Sequence, residues 1–295
     1  ANDCTVCTTL VDTIVPGRIR DPKEAAAVAE RLGYEDPFLA VREPFQMWGI
    51  QGDESFKERL PFVKAGLPSV FVTPDVTPYK KRKVRILNGA HTAFVPGSWV
   101  AGFDIVRDCM HDETVRGFMN TMLYDEVIPT LAADLDVEDC KAFAAAVENR
   151  FDNPFIDHAL LSICLNSTAK WRARDLPTLK DYVAETGNLP KCLATSLATL
   201  ISFYTQELVS REGDGLHLRR SDGTEYTAQD DAFVLDFYAA HAGADDAQLV
   251  HDVLTNEQMW GEDLTQIAGL EEFVVSVLAV VRAEGAKQAF ANAQA

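Results

Sequence analysis

Thr77-Pro-Tyr-Lys-Lys-Arg-Lys83-Val-Arg-Ile-Leu-Asn88-Gly-Ala-His91-Thr-Ala-Phe-Val95 is where the chain turns helical. Thr77 reads as an N-cap with Pro78 at the first helical position, and the spacing predicts a helix to about Val95, ended by Pro96-Gly97. Beyond it the apolar periodicity stays helical, over roughly 98–109, 112–131, 136–150, 154–174, 176–186, 190–210, 228–242, 244–255 and 263–286. One interruption, Leu216 to Tyr226, carries the turn signal Ser221-Asp-Gly-Thr224 and predicts a short hairpin. The Ala/Gln-rich tail, 286–295, is expected to fray.

Upstream the pattern is mixed. Asp21 as N-cap, Pro22 and the run to Leu32 predict a short helix stopped by Gly33. Met47–Gln51 and Ser69–Thr73 are β-rich and bounded by Gly or Pro, so two short strands are expected. The expected fold is therefore mainly α and multi-helical, with a few short strands near the N-terminus. It forms one domain over 1–295: a mixed α/β lead-in, 1–76, and a helical body, 77–286.

The 295 residues carry 45 acids against 27 Lys+Arg, net −18. Such a chain repels phosphate backbones and anionic lipid, which argues against nucleic-acid and membrane partners. It has no apolar run of 18 residues. It opens on Ala1-Asn-Asp-Cys4 without an initiator Met or a signal-peptide pattern, and reads as a piece of something longer. Cys4 and Cys7 form a lone C-x-x-C. Cys109, Cys140, Cys164 and Cys192 sit in apolar patterns and read as buried free thiols of a reducing cytoplasm. No His/Asp/Glu cluster has metal spacing, so no metal is expected. There is no G-x-G-x-x-G, no G-x-x-x-x-G-K-[ST] and no G-x-S-x-G.

Two helices place polar groups where they need partners. In 77–95, Lys80, Lys81, Arg82, Lys83 and Arg85 oppose the helix dipole, which invites an anion. Lys83, Asn88 and His91 present an ammonium, an amide and an imidazole among apolar neighbours, a setting that lowers an amine's pKa toward acid/base use. In 154–174, His158, Ser162, Asn166 and Lys170 recur every fourth residue, one stripe on a helix otherwise apolar. The stripe is satisfied either by neighbouring helices or by a polyhydroxylated ligand. Asp12 gets no role, and His111, His217, His241 and His251 read as ordinary solvated histidines.

Lys83-Val-Arg-Ile-Leu-Asn88-Gly-Ala-His91 resembles the K-x-x-x-x-N-x-x-H motif of the mannitol dehydrogenase family of long-chain polyol dehydrogenases. Ile86–Ala93, Arg150-Phe-Asp-Asn-Pro-Phe-Ile-Asp-His158, Leu160–Asn166, Cys7–Asp12 and Trp260–Gln266 are similar to its hexuronate-reducing members. The resemblance runs from about Ala1 to about Val280. It implies the helical substrate domain of the mannitol dehydrogenase and 6-phosphogluconate dehydrogenase C-terminal type, in an NAD(H)-dependent, metal-independent reductase of a small-molecule hexuronate. Lys83 would be the general acid/base, with Asn88 and His91 polarising the carbonyl oxygen. Lys170 matches a substrate-contacting lysine, and His158, Ser162 and Asn166 would line the substrate. Ser162 stands where the mannitol enzymes carry arginine, which favours an acidic sugar over a polyol. The family's N-terminal Rossmann domain, with G-x-G-x-F-x-R, is missing from this chain and would hold most of the NAD(H). A sister activity on another ketose, or a helical binding domain without catalysis, are the alternatives.

Overall fold

The computed structural model describes residues 4–19 and 21–295 and falls into two compact units, Ala1–Lys83 and Val84–Ala295. In the first unit, Met47–Gln51 is the middle strand of three. Thr9–Asp12 pairs with it antiparallel (Val11 opposite Trp48) and Val70–Thr73 parallel (Trp48 opposite Val70). Both expected strands are present; Thr9–Asp12, read from sequence only as part of a motif, is the third. The helix Pro22–Leu32 begins and ends as its residues dictate: the Asp21 carboxylate accepts from Lys23 N–H, and Gly33 caps the end. The hydrophobic side chains buried here are Leu10, Ile14, Ile50 and Val76, and no residue of Pro22–Leu32, Glu54–Arg59 or Pro61–Lys64 is buried.

The second unit is built around Lys191–Tyr204, every residue of which from Cys192 onward is buried. It packs against Gly89–Val100, Leu270–Glu284 and Ala286–Ala293. A helix buried all round belongs at the centre of a fold, and each fully buried Leu or Ile contributes roughly 1.5–3 kcal/mol. Gly97 lets these helices close on one another: a Cβ there would stand 2.5 Å from the Phe290 ring and 2.9 Å from Thr199.

Several boundaries differ from expectation. The helix expected over 77–95 continues to Val100 as Thr77–Arg82, a π-helical turn Lys83–Asn88, and Gly89–Val100. Pro96 lies inside it, because burial of the whole stretch Gly89–Trp99 outweighs the ~3 kcal/mol a helix-interior proline costs. Val76, not Thr77, is the N-cap; Asp75 accepts from Thr77 N–H at 2.8 Å. The segments expected at 98–109 and 112–131 are Val106–His111, Glu113–Thr121, a second π-turn Met122–Val127 and a 3₁₀ turn Pro129–Leu131. The helix expected to 210 stops at Tyr204, where the expected hairpin is extended to three strands, Glu207–Glu212, Gly215–Arg219 and Glu225–Ala228. The tail does not fray: Ala286–Ala293 is a helix with Ala286, Ala289, Phe290 and Ala293 buried.

Candidate active site

The expected helix 154–174, with its every-fourth-residue stripe, does not exist as one element. Phe155 N–H donates to Asn153 Oδ1, and the chain then runs extended, Val106 N–H bonding His158 O and Leu160 N–H bonding Asp104 O. Two short helices follow, Leu160–Ile163 and Ser167–Arg174. They are separated at Asn166, which adopts a left-handed conformation (φ 51°) that asparagine tolerates better than most residues. A polar spacing of four was a poor guide because the backbone breaks inside it. Ser162 and Asn166 are exposed; the Ser162 hydroxyl donates back to Ala159 O at 2.7 Å. The structure does not bring these two together with His158 and Lys170 on one helical stripe.

What it does bring together centres on His91. The ring is buried, stacked on Phe151 (centroids 4.0 Å apart, 15° between planes) and edge-on to His158 at 5.5 Å. Its Nε2 is buried without a hydrogen-bond partner. Desolvation drives the His91 pKa well below the usual value, and the charges of His158, Arg174, Arg150 and Lys170 push the same way. His158 is held down to about 4 by burial. Both imidazoles are therefore neutral at pH 7, and His91 in its Nε2–H tautomer has a buried N–H to offer.

Ser167–Arg174 carries the cations. Lys170 Nζ donates to Ile163 O at 2.9 Å, and burial, then the Arg174 charge, lowers its pKa. Arg174 Nη1 donates to Thr92 Oγ1 at 2.9 Å, and Thr92 Oγ1 donates to Asn88 O at 2.9 Å. That chain ties the end of the π-turn, where Asn88 sits half-buried, to the Ser167–Arg174 helix. Beneath it lies Asp175, buried and pushed well above the ordinary carboxylate range by desolvation, with Arg174 and Arg85 opposing. A Cβ on Gly89 would stand 2.9 Å from Asp175 Oδ1, so this residue must be small. Arg174 and Asp175 were not singled out from the sequence. The signal available was the i, i+4 spacing of Arg174 from Lys170.

Lys83 belongs to the first unit and opens the π-turn. It is half-buried, and its Nζ donates to Val11 O at 2.8 Å. Arg85, part of the basic cluster read as anion-binding, instead pairs with Asp181 at 3.2 Å and donates to Thr178. His111, His241 and His251 each face a carboxylate, Asp152, Asp252 and Glu271. Cys109, Cys140, Cys164 and Cys192 are buried free thiols, as expected.

Among the described residues, no group of three or more His, Cys, Asp or Glu is placed to hold a metal, and no helix is long and apolar enough to cross a membrane. A dinucleotide needs a glycine-rich turn from strand to open helix N-terminus. After Met47–Gln51 the residues do not fit one. Asp53 closes the six-residue helix Glu54–Arg59 with its own carboxylate, accepting from Ser55 N–H at 2.8 Å, and a Cβ on Gly52 would stand 2.9 Å from the Phe56 ring.

Residues 75–281 match the family model of the mannitol dehydrogenase C-terminal domain. The chain is 40% identical over 293 residues to an altronate oxidoreductase of Yersinia enterocolitica, covering 97% of this chain and 57% of that protein. It is 42% identical over 291 residues to an altronate oxidoreductase of Klebsiella pneumoniae, covering 97% and 56%. The fold is similar to Pseudomonas fluorescens mannitol 2-dehydrogenase in a ternary complex with NAD and D-mannitol, at TM-score 0.77 and 21% identity, over 97% of this chain and 54% of that one. It is also similar to a D-sorbitol dehydrogenase in substrate-free form, at TM-score 0.73 and 20% identity, over 96% and 54%. The chain thus spans a little over half the length of the relatives it matches.

Proposed function

The chain belongs to the mannitol dehydrogenase family through its C-terminal domain, and on that premise we propose that it is the substrate-binding and catalytic half of a hexuronate reductase interconverting D-tagaturonate and D-altronate. The reading is supported by similarity to altronate oxidoreductases along nearly the whole chain. The structural observation that carries it is the His91 environment. In a protein of net charge −18, a neutral imidazole with an unpartnered buried Nε2 is surrounded by Arg150, Lys170 and Arg174. That surround favours an anionic sugar.

NAD(H), held outside these residues, supplies the hydride. The chain's own part is the proton and the oxygen. Lys83 gives its ammonium proton to the carbonyl oxygen as the carbon is reduced, and takes it back from the hydroxyl in the reverse direction. Asn88 and His91 donate hydrogen bonds to that oxygen, stabilising the negative charge that builds on it. Burial keeps His91 neutral, so it acts as a hydrogen-bond donor and does not compete with Lys83 for the proton. Lys170 and His158 hold the sugar, and Ser162 and Asn166, exposed on their own turns, contact it from the rim.

The test is a steady-state comparison. The chain, expressed with whatever its reading frame adds upstream, is given NADH and tagaturonate, fructuronate or fructose. The highest kcat/KM is expected for tagaturonate. A preference for fructuronate assigns the sister uronate activity, and a preference for fructose returns the chain to the polyol branch. Failure to oxidise NADH with any of the three favours a helical binding domain without catalysis.

A further inference from the structure

We propose that Arg174, together with Lys170, forms a carboxylate-binding corner, and that Arg174 sets the preference for a sugar acid over its neutral counterpart. The inference rests on the hexuronate reading above and adds to it the residue that reads the acid.

The two cations stand four residues apart on Ser167–Arg174, one turn from each other on one face. Like charges so placed oppose each other unless an anion comes between them. Both are half-buried, and each is held by a neutral acceptor, Ile163 O for Lys170 and Thr92 Oγ1 for Arg174. Neither forms an ion pair within 4.0 Å among the described residues, although acids outnumber Lys+Arg by 45 to 27. The carboxyl groups nearest to them are otherwise engaged. Asp230 accepts from Tyr204 hydroxyl and Thr168 N–H. Asp175 is buried, and desolvation drives it toward its neutral form.

Donor count points the same way. Of five guanidinium N–H groups on Arg174 and three on Lys170, one each is used within the protein. A planar fork beside a point charge suits a two-oxygen planar anion, and charge-assisted bonds of this kind are about twice as strong as neutral ones. The neighbouring wall is also short of partners. His91 is 94% buried yet has an unbonded Nε2, and Thr92, which receives Arg174, is the next residue in the chain. A hexuronate presents its carboxylate to the guanidinium and ammonium while its hydroxyls meet the imidazole face; a hexitol has nothing to pair with the two charges.

Titration calorimetry of the 295-residue chain with altronate and with altritol, the neutral hexitol of matching configuration, separates the possibilities. The wild type should bind altronate at least about tenfold more tightly than altritol. Arg174→Gln should weaken altronate at least about tenfold and altritol less than about twofold. Arg174→Lys should recover part of the loss, and Lys170→Gln should show the same charge-selective pattern. Melting curves of each variant establish that it is folded. Equal losses for both ligands in folded Arg174→Gln would mean that Arg174 only braces Thr92, and would overturn the corner; so would unchanged altronate binding. A wild type that prefers altritol, or binds neither, overturns the hexuronate reading itself.

Discussion

The first unit, Ala1–Lys83, and the second, Val84–Ala295, bury their apolar residues very differently. The second organises around one helix that is buried from Cys192 to Tyr204. The first buries Leu10, Ile14, Ile50 and Val76, and leaves Val6, Val11, Val15, Tyr34, Phe38 and Trp48 exposed. Stability in such a chain is local: regions with little buried apolar surface open at lower free energy than the core. The second unit therefore has a core sufficient for independent folding, while the first offers Lys83 from a thinly packed scaffold. The general acid/base and the imidazole it is proposed to serve come from regions of unequal rigidity.

The sharpest way to break that contrast is to make the same substitution in both. Trp171 is fully buried, its Nε1 donates to Ser196 Oγ at 2.9 Å, and it meets Trp260 edge to face at 5.5 Å. Trp171→Ala should destabilise the second unit by about 3–5 kcal/mol. Trp48 is 37% exposed and stacks only on Phe62 at 5.2 Å; Trp48→Ala should cost about 1–2 kcal/mol. Urea unfolding followed by circular dichroism measures both, and equal losses would show that the units are equally packed.

A smaller effect concerns pH. Glu126 accepts from Cys192 N–H and Leu193 N–H at 2.7 and 2.9 Å, at the start of the central helix. Those bonds favour the carboxylate, but burial outweighs them and raises Glu126 to about 7. The folded state thus holds this proton more tightly than the unfolded chain. Its contribution is complete below pH 4.5 and is lost as pH rises through about 7. His158, held down to about 4, acts in the opposite sense: its contribution is present above pH 6.5 and is lost as pH falls through about 4. Between about pH 4.5 and 6.5 the two slopes oppose each other. Glu126→Gln should remove one of them, on the order of 2 kcal/mol, so that the variant's melting temperature rises with pH more steeply than the wild type's. Parallel curves for the two proteins would show that burial does not govern Glu126.

Local signals with one meaning were legible. Asp21, Pro22 and Gly33 fixed a helix at both ends, and the β-branched runs around Ile50 and Phe71 gave their strands. The helix Ala286–Ala293 was missed because its evidence is tertiary: small residues that look like a frayed tail become a close-packing face against Gly97 and Phe118. The π-turn at Lys83–Asn88 has no compositional signature, so angles computed at 100° per residue along it were wrong. At the site, His91, His158 and Lys170 were found by type and spacing, and the structure groups them. Ser162 and Asn166 were drawn in by a periodicity that the left-handed Asn166 interrupts. Arg174 went unnoticed because its meaning lies in what it lacks, a carboxylate partner, and only three-dimensional placement reveals that.

The measurement that bears most directly on the account is turnover of tagaturonate with NADH by the Lys83→Ala variant, expressed with its upstream reading frame, alongside its melting curve. Loss of a general acid/base should lower kcat by about 100- to 10,000-fold. The melting temperature should shift by only a few degrees, because the bond lost is a single one, from Nζ to Val11 O. A folded variant that turns over tagaturonate at the wild-type rate would contradict the assignment of Lys83 and, with it, the proposed chemistry.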